Sequence, residues 1–115
     1  MTNGLIPVLI TPFNNDLTVD LTAQINLVEK FENLQQIEKY WLFGTGSEDW
    51  AVDKEERLRV IDKLNTRFEL KKFIIGTNLG NLQQSKLFAL ELSKRYGKNI
   101  ITHYMNPYPK YDQNA

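Results

Sequence analysis

Four near-continuous apolar runs, Leu5–Ile10, Lys39–Phe43, Lys72–Ile75 and Ile100–Tyr104, alternate with longer amphipathic stretches along the chain. This alternation is the strongest constraint on the fold, because short runs without polar alternation are what a parallel sheet buries, and parallel strands need a crossover helix between them. Asp20 stands at an N-cap position, and Leu21, Ile25, Val28 and Phe31 follow at helical spacing. Asp53-Lys54-Glu55-Glu56-Arg57 signals a second helix start, with Leu58, Ile61, Leu64 and Phe68 on its apolar stripe. A third helix is expected from Leu82 to Tyr96, stopped by Gly97. Strands therefore start about thirty residues apart, the size of one strand–helix–strand unit. The tetrapeptide Asn-Leu-Gln-Gln occurs at both 33–36 and 81–84, ending one expected helix and opening another, and marks no internal repeat. The reading is α/β with a parallel sheet, one domain over residues 1–115, with no linker or low-complexity tract.

Composition narrows the function classes. The 115 residues, 42% of them hydrophobic, suffice for one modest soluble domain. Fourteen basic residues balance fourteen acidic ones without a basic stripe, which argues against a nucleic-acid partner. There is no cysteine, hence no disulfide framework, thiolate nucleophile or sulfur-ligated metal site, and no metal or other cofactor is expected. The start Met1-Thr2-Asn3-Gly4 lacks a basic segment, and Leu5–Ile10 is too short for a signal sequence or membrane span, so a cytoplasmic protein without a membrane partner is expected.

In parallel α/β folds ligands sit outside the carboxyl ends of the strands. Here those ends carry Thr11, then Gly44-Thr45-Gly46-Ser47-Glu48, then Gly76-Thr77-Asn78, then Asn106-Pro107-Tyr108-Pro109. Thr45, Gly46 and Ser47 offer hydroxyls and backbone N–H groups to a substrate carboxylate, although turning alone also enriches such loops in Gly, Ser, Thr and Asn. A dinucleotide-binding turn is disfavoured, since Asp49 occupies the third glycine position and, with Glu48, would repel a pyrophosphate. His103 stands alone in the fourth run and reads as a packed strand histidine. Trp41 and Trp50 read as packing residues, Trp50 with the option of lining the mouth of a site, and the charge run Asp53–Arg59 as the solvated face of a helix.

Taken together, Gly4-Leu5-Ile6-Pro7-Val8-Leu9-Ile10-Thr11-Pro12-Phe13, Val19-Asp20, Gly44-Thr45-Gly46-Ser47-Glu48 with Glu55-Glu56-Arg57, Gly76-Thr77 and Pro107-Tyr108 have the order and spacing of one family. The chain resembles the N-terminal portion of the dihydrodipicolinate synthase and N-acetylneuraminate lyase family, class I (Schiff-base) aldolases. The resemblance implies a (β/α)8 TIM barrel, of which this chain supplies about the first half, four strands and three helices. It also implies a lyase that forms a Schiff base between a lysine and pyruvate or another 2-oxo acid. On that basis Thr45 corresponds to the loop threonine of a proton relay and Tyr108 to the relay's first tyrosine, both catalytic, while Thr11, Gly46 and Ser47 are substrate-binding candidates. Glu48 matches the family with a structural role.

Three departures qualify the resemblance. Gly46 replaces a second hydroxyl residue, with the Ser47 hydroxyl arriving one place later. Pro109 stands where many synthases place a second tyrosine, which disfavours dihydrodipicolinate synthesis relative to an aldolase for another 2-oxo acid or sugar acid. The family's Schiff-base lysine and its partner tyrosine belong to the sixth and fifth strands, beyond Ala115. Lys39 and Lys72 lie at strand starts and Lys110 in a wet loop, so none meets the desolvation a nucleophilic lysine needs. The expectation is a piece of a longer homo-oligomeric enzyme, a tetramer or dimer. The alternative is a non-catalytic half barrel acting as a structural or regulatory protein.

Overall fold

The computed structural model describes residues 4–34, 36–44, 51–97 and 99–104. Three helices and three strands alternate: α1 (Leu21–Glu32), β1 (Tyr40–Leu42), α2 (Lys54–Asn65), β2 (Phe73–Gly76), α3 (Leu82–Tyr96) and β3 (Ile101–His103), with a short 3-10 turn, Leu70–Lys72, leading into β2. The strands form one parallel sheet in sequential order β1-β2-β3, in register Tyr40 to Phe73 and Ile74 to Ile101.

Helix starts follow the capping residues. The Asp20 carboxylate accepts the Ala23 N–H, Asp53 accepts the Glu56 N–H and the Asn81 side chain accepts the Gln84 N–H, each satisfying one of the four N–H groups that a helix start leaves unpaired. The second Asn-Leu-Gln-Gln thus opens α3, while Asn33 of the first caps the end of α1, so one tetrapeptide serves opposite helix ends. Gly97 closes α3 at φ 99°, a backbone that favours glycine.

The expectation of a fourth strand is corrected. Leu5–Ile10 runs parallel beside β1 but makes only two isolated bridges, Leu5 to Ile37 and Val8 to Trp41. The partner offset changes from 32 to 33 between them, so one extra residue lies on the Ile37–Trp41 side, a bulge. Pro7 has no N–H to give; its carbonyl accepts the Trp41 N–H at 2.9 Å, and the Leu9 N–H goes to the Trp41 carbonyl at 2.9 Å. Bulge and proline together keep an apolar run of strand composition from forming a regular ladder.

Among the described residues, one face of the sheet is covered by helices and the other is not. Tyr40, Leu42, Phe73 and Ile75 point into a single core with Ile25 and Val28 of α1, Leu58, Val60, Ile61 and Leu64 of α2, and Phe88 and Leu92 of α3. Leu9 joins this core while its neighbours Val8 and Ile10 are exposed, as is the edge residue Leu5. Trp41 and Ile74 alternate to the uncovered side and are only partly buried. The segment 11–20 is held to α2: the Val19 N–H donates to Glu56 Oε2 at 2.5 Å and Arg59 donates to the Val19 carbonyl at 2.8 Å.

Candidate active site

At the amino end of the sheet, charges serve the fold. Tyr40 donates to Glu32, and Lys72 Nζ donates to the same carboxylate at 3.0 Å and lies over the Tyr40 ring. The Tyr40 hydrogen bond, assisted by Lys72, holds the Glu32 carboxyl below its ordinary range, while burial and Glu32 push the Tyr40 phenol up. Lys39 Nζ donates to the Lys71 carbonyl at 3.1 Å. Both strand-start lysines are therefore engaged at the end of the sheet where such contacts serve stability.

The carboxyl end is built differently, from small residues and buried polar groups. Phe43, which follows β1, has φ 61°, a left-handed backbone that costs an ordinary residue about 1–2 kcal/mol. Its carbonyl lies against Gly76: a Cβ on Gly76 would sit 2.1 Å from the Phe43 oxygen and 2.9 Å from its carbon. Glycine is thus required at the end of β2 by the close approach of the β1 backbone. Beyond it Thr77 is buried, and both its N–H (2.9 Å) and its hydroxyl (3.2 Å) donate to the His103 carbonyl, extending the β2–β3 pairing by one residue.

Arg57, one turn into α2, is the largest fully buried side chain among the described residues. Its Nε donates to the Val52 carbonyl at 2.8 Å, Nη1 donates to the Gly76 carbonyl at 2.9 Å, and its guanidinium lies 5.3 Å from the Phe43 ring centroid. Carbonyl acceptors and a π-face suit a weakly hydrated, planar cation. The reading of Asp53–Arg59 as a solvated face is corrected at this position. Arg57 shares the 3.6-residue stripe of Val60, Ile61 and Leu64, the one signal in the sequence that it turns inward.

On the uncovered face Trp41 packs edge-on against His103, ring centroids 4.6 Å apart, so His103 is a packed strand histidine. The indole passes Gly44, where a Cβ would lie 3.2 Å from Trp41 Cδ1 and 3.1 Å from Val8 Cγ1. Trp41 Nε1 is buried and has no hydrogen-bond partner among the described residues, nor has the buried Thr11 hydroxyl. Thr11 is 5% exposed, buried like Leu9 two residues before it. Thr45, Gly46, Ser47 and Tyr108, with Trp50, Pro109 and Lys110, lie outside the described residues. The structure does bring together Phe43, Val52 and Gly76, through the Phe43 carbonyl against Gly76 and the Arg57 contacts with all three. Among the described residues no three His, Asp or Glu side chains cluster as a metal site, and no helix is long and apolar enough to cross a membrane.

Doubly wound folds place helices on both faces of a sheet, whereas here, among the described residues, strands in sequential order carry helices on one face, the arrangement of a partial α/β barrel. The comparisons agree. Dihydrodipicolinate synthase from Agrobacterium tumefaciens has a similar structure, with TM-score 0.70 and 22% identity over 96% of this chain and 38% of that one. A variant of 2-keto-3-deoxygluconate aldolase from Sulfolobus solfataricus follows at TM-score 0.67 and 23% identity over 85% of this chain and 32% of that one; a further variant of it is a pyruvate complex. No family model matches. The chain is 30% identical over 112 residues to the 4-hydroxy-tetrahydrodipicolinate synthase of Methanococcoides burtonii, and 31% identical over 117 residues to that of Shewanella piezotolerans. These matches cover 92% and 96% of the chain but 36% and 39% of the relatives, so it spans little more than a third of their length. The chain is similar, over nearly all of its length, to a part of proteins named dihydrodipicolinate synthase.

Proposed function

We propose that the chain is the N-terminal part of a pyruvate- or 2-oxo-acid-dependent lyase that works through a lysine Schiff base, within a (β/α)8 barrel completed by residues outside these 115. The observation that carries this reading is that two curated relatives, matched along more than nine-tenths of the chain, bear the same synthase name. The pyruvate complex of a similarly folded aldolase supports a 2-oxo acid as substrate. In this reading the lysine amine adds to the keto carbon and water leaves, giving an imine whose adjacent carbon loses a proton to form a nucleophilic enamine. Thr45 and Tyr108 carry protons to and from that carbon and the aldol oxygen. Backbone N–H groups of Gly46 and Ser47 with the Ser47 hydroxyl hold the substrate carboxylate, with Thr11 beneath them. The whole enzyme is a cytoplasmic homo-oligomer with no metal or other cofactor.

The test is exchange of the pyruvate methyl protons with deuterium, followed by proton NMR, on the protein produced from its native gene. Enamine formation predicts loss of the methyl signal, slowed about a hundredfold or more in Thr45→Val, the lower end of the range for loss of a general acid–base group. A methyl signal that persists at stoichiometric protein would overturn the proposal.

A further inference from the structure

We infer that His103 is a further substrate-binding residue, its imidazole donating a hydrogen bond to a carboxylate oxygen of the 2-oxo acid, an inference that rests on the function proposed above. The residue ends β3, at the side of the sheet where α/β barrels bind their ligands. Ile74 pairs with Ile101 and Gly76 with His103, so His103 shares the face of Trp41 and Ile74, the one that carries no helix among the described residues. Trp41 and His103 belong to β1 and β3, with β2 between them, and two strand spacings amount to about 10 Å. Their ring centroids are nevertheless 4.6 Å apart. The side chains therefore lean toward each other across β2, where the residue paired with His103 is Gly76, which puts no side chain between them.

Two contacts fix the imidazole from different directions. Thr77 donates its N–H and its hydroxyl to the His103 carbonyl, at 2.9 and 3.2 Å, which holds the backbone, and the Trp41 indole, at 77° to the imidazole plane, holds the ring. Neither is a hydrogen bond to a ring nitrogen. Among the described residues both ring nitrogens lack a hydrogen-bond partner, although His103 is partly buried. Packing on Trp41 alone would be served as well by an apolar ring, without the cost of leaving half-buried polar atoms unpaired. An imidazole keeps at least one N–H in either protonation state, and a carboxylate has lone pairs for this donor beside others. Because the carboxylate is held before and throughout the reaction, the bond contributes equally to ground state and transition state and appears in KM.

The experiment titrates pyruvate into the protein from its native gene and follows the His103 ring-proton NMR resonance, identified as the one missing in His103→Phe and in His103→Gln. Methyl-exchange kinetics and urea midpoints are measured on wild type and both variants. The His103 resonance is expected to move with pyruvate to saturation. The pyruvate KM is expected to rise about tenfold or more in His103→Phe, which keeps a ring against Trp41 and loses the N–H. A smaller rise is expected in His103→Gln, which keeps an N–H and loses the ring, with kcat within about threefold in both. A packing role alone predicts the opposite order, His103→Phe silent in KM and His103→Gln the less stable by its urea midpoint. A resonance that stays in place at saturating pyruvate, or an unchanged KM in folded His103→Phe, would overturn the inference. Should that variant fail to fold, the wild-type resonance still carries the test. If the wild type exchanges no pyruvate protons, the function proposal has failed, and the titration decides His103 separately because binding needs no turnover.

Discussion

Replacing Gly76 by alanine tests how tightly the carboxyl end of the sheet is assembled. The added Cβ would lie 2.1 Å from the Phe43 carbonyl oxygen, 2.9 Å from its carbon and 3.3 Å from the Leu42 oxygen, all backbone atoms. Contacts under 3.0 Å are essentially never seen, so the two strand ends must separate by roughly 1 Å (3.0 − 2.1 Å). No side chain can rotate away to relieve this. Overpacking a close-packed site costs about 1–3 kcal/mol. The shift also disturbs the Arg57 bond to the Gly76 carbonyl at 2.9 Å, a charged hydrogen bond of the kind worth about 1.5–3 kcal/mol. A loss near 3 kcal/mol is expected, lowering the thermal midpoint by about 12 °C at roughly 4 °C per kcal/mol. Urea unfolding followed by circular dichroism measures it, with Gly80→Ala as the control. Gly80, unlike Gly76, has a positive φ, 103°, but an added Cβ meets nothing within 4 Å, so only the backbone cost of about 1–2 kcal/mol applies. Gly76→Ala no more costly than Gly80→Ala would refute the steric argument.

Thr11→Val removes a buried hydroxyl without a partner among the described residues, so stability should stay within about 1 kcal/mol or rise; if Thr11 serves substrate, pyruvate binding weakens while the unfolding midpoint holds. Calorimetry with pyruvate separates the two effects, and a large destabilisation would show that the hydroxyl has a structural partner. Asp20→Ala and Asp53→Ala should each cost about 1 kcal/mol by freeing the Ala23 and Glu56 N–H groups, read from urea midpoints. Burial and the hydrogen bond to Asp62 raise the Tyr96 phenol to about 12, so it favours the neutral form on folding. That contribution is complete below the ordinary value of 10.0 and is lost as pH rises from there through about 12. The difference in phenolate absorbance between wild type and Tyr96→Phe checks it, and ionisation at the ordinary value would contradict it.

Legibility in the sequence followed the range of the forces involved. The helices were readable because Asp20, Asp53, Asn81 and Gly97 act within one turn of themselves, and the core stripes because burial against one sheet face imposes a single period. The Leu5–Ile10 run was readable as apolar and extended but not as irregular. Its bulge depends on where β1 lies beside it, which no local pattern encodes, and only Pro7 hinted at the missing ladder bond. Arg57 was missed because its neighbours Lys54, Glu55, Glu56 and Arg59 describe a wet surface, while two of its partners, the carbonyls of Val52 and Gly76, are backbone groups without a sequence signature. Gly76 was legible as a loop residue but not as a contact, since the Phe43 carbonyl it accommodates comes from another strand. The motif at Thr45–Ser47 identified the carboxyl end of β1 by its resemblance, and the structure supplied the junction from which that loop starts.

The most direct test is borohydride reduction of the native-gene protein in the presence of pyruvate, followed by intact-mass analysis and peptide mapping. The account predicts one reduced pyruvate adduct per chain, on a lysine outside residues 1–115, in a protein heavier than the 13.4 kDa of this chain. A protein with no adduct, or an adduct on Lys39, Lys72 or another lysine of these 115 residues, would contradict it.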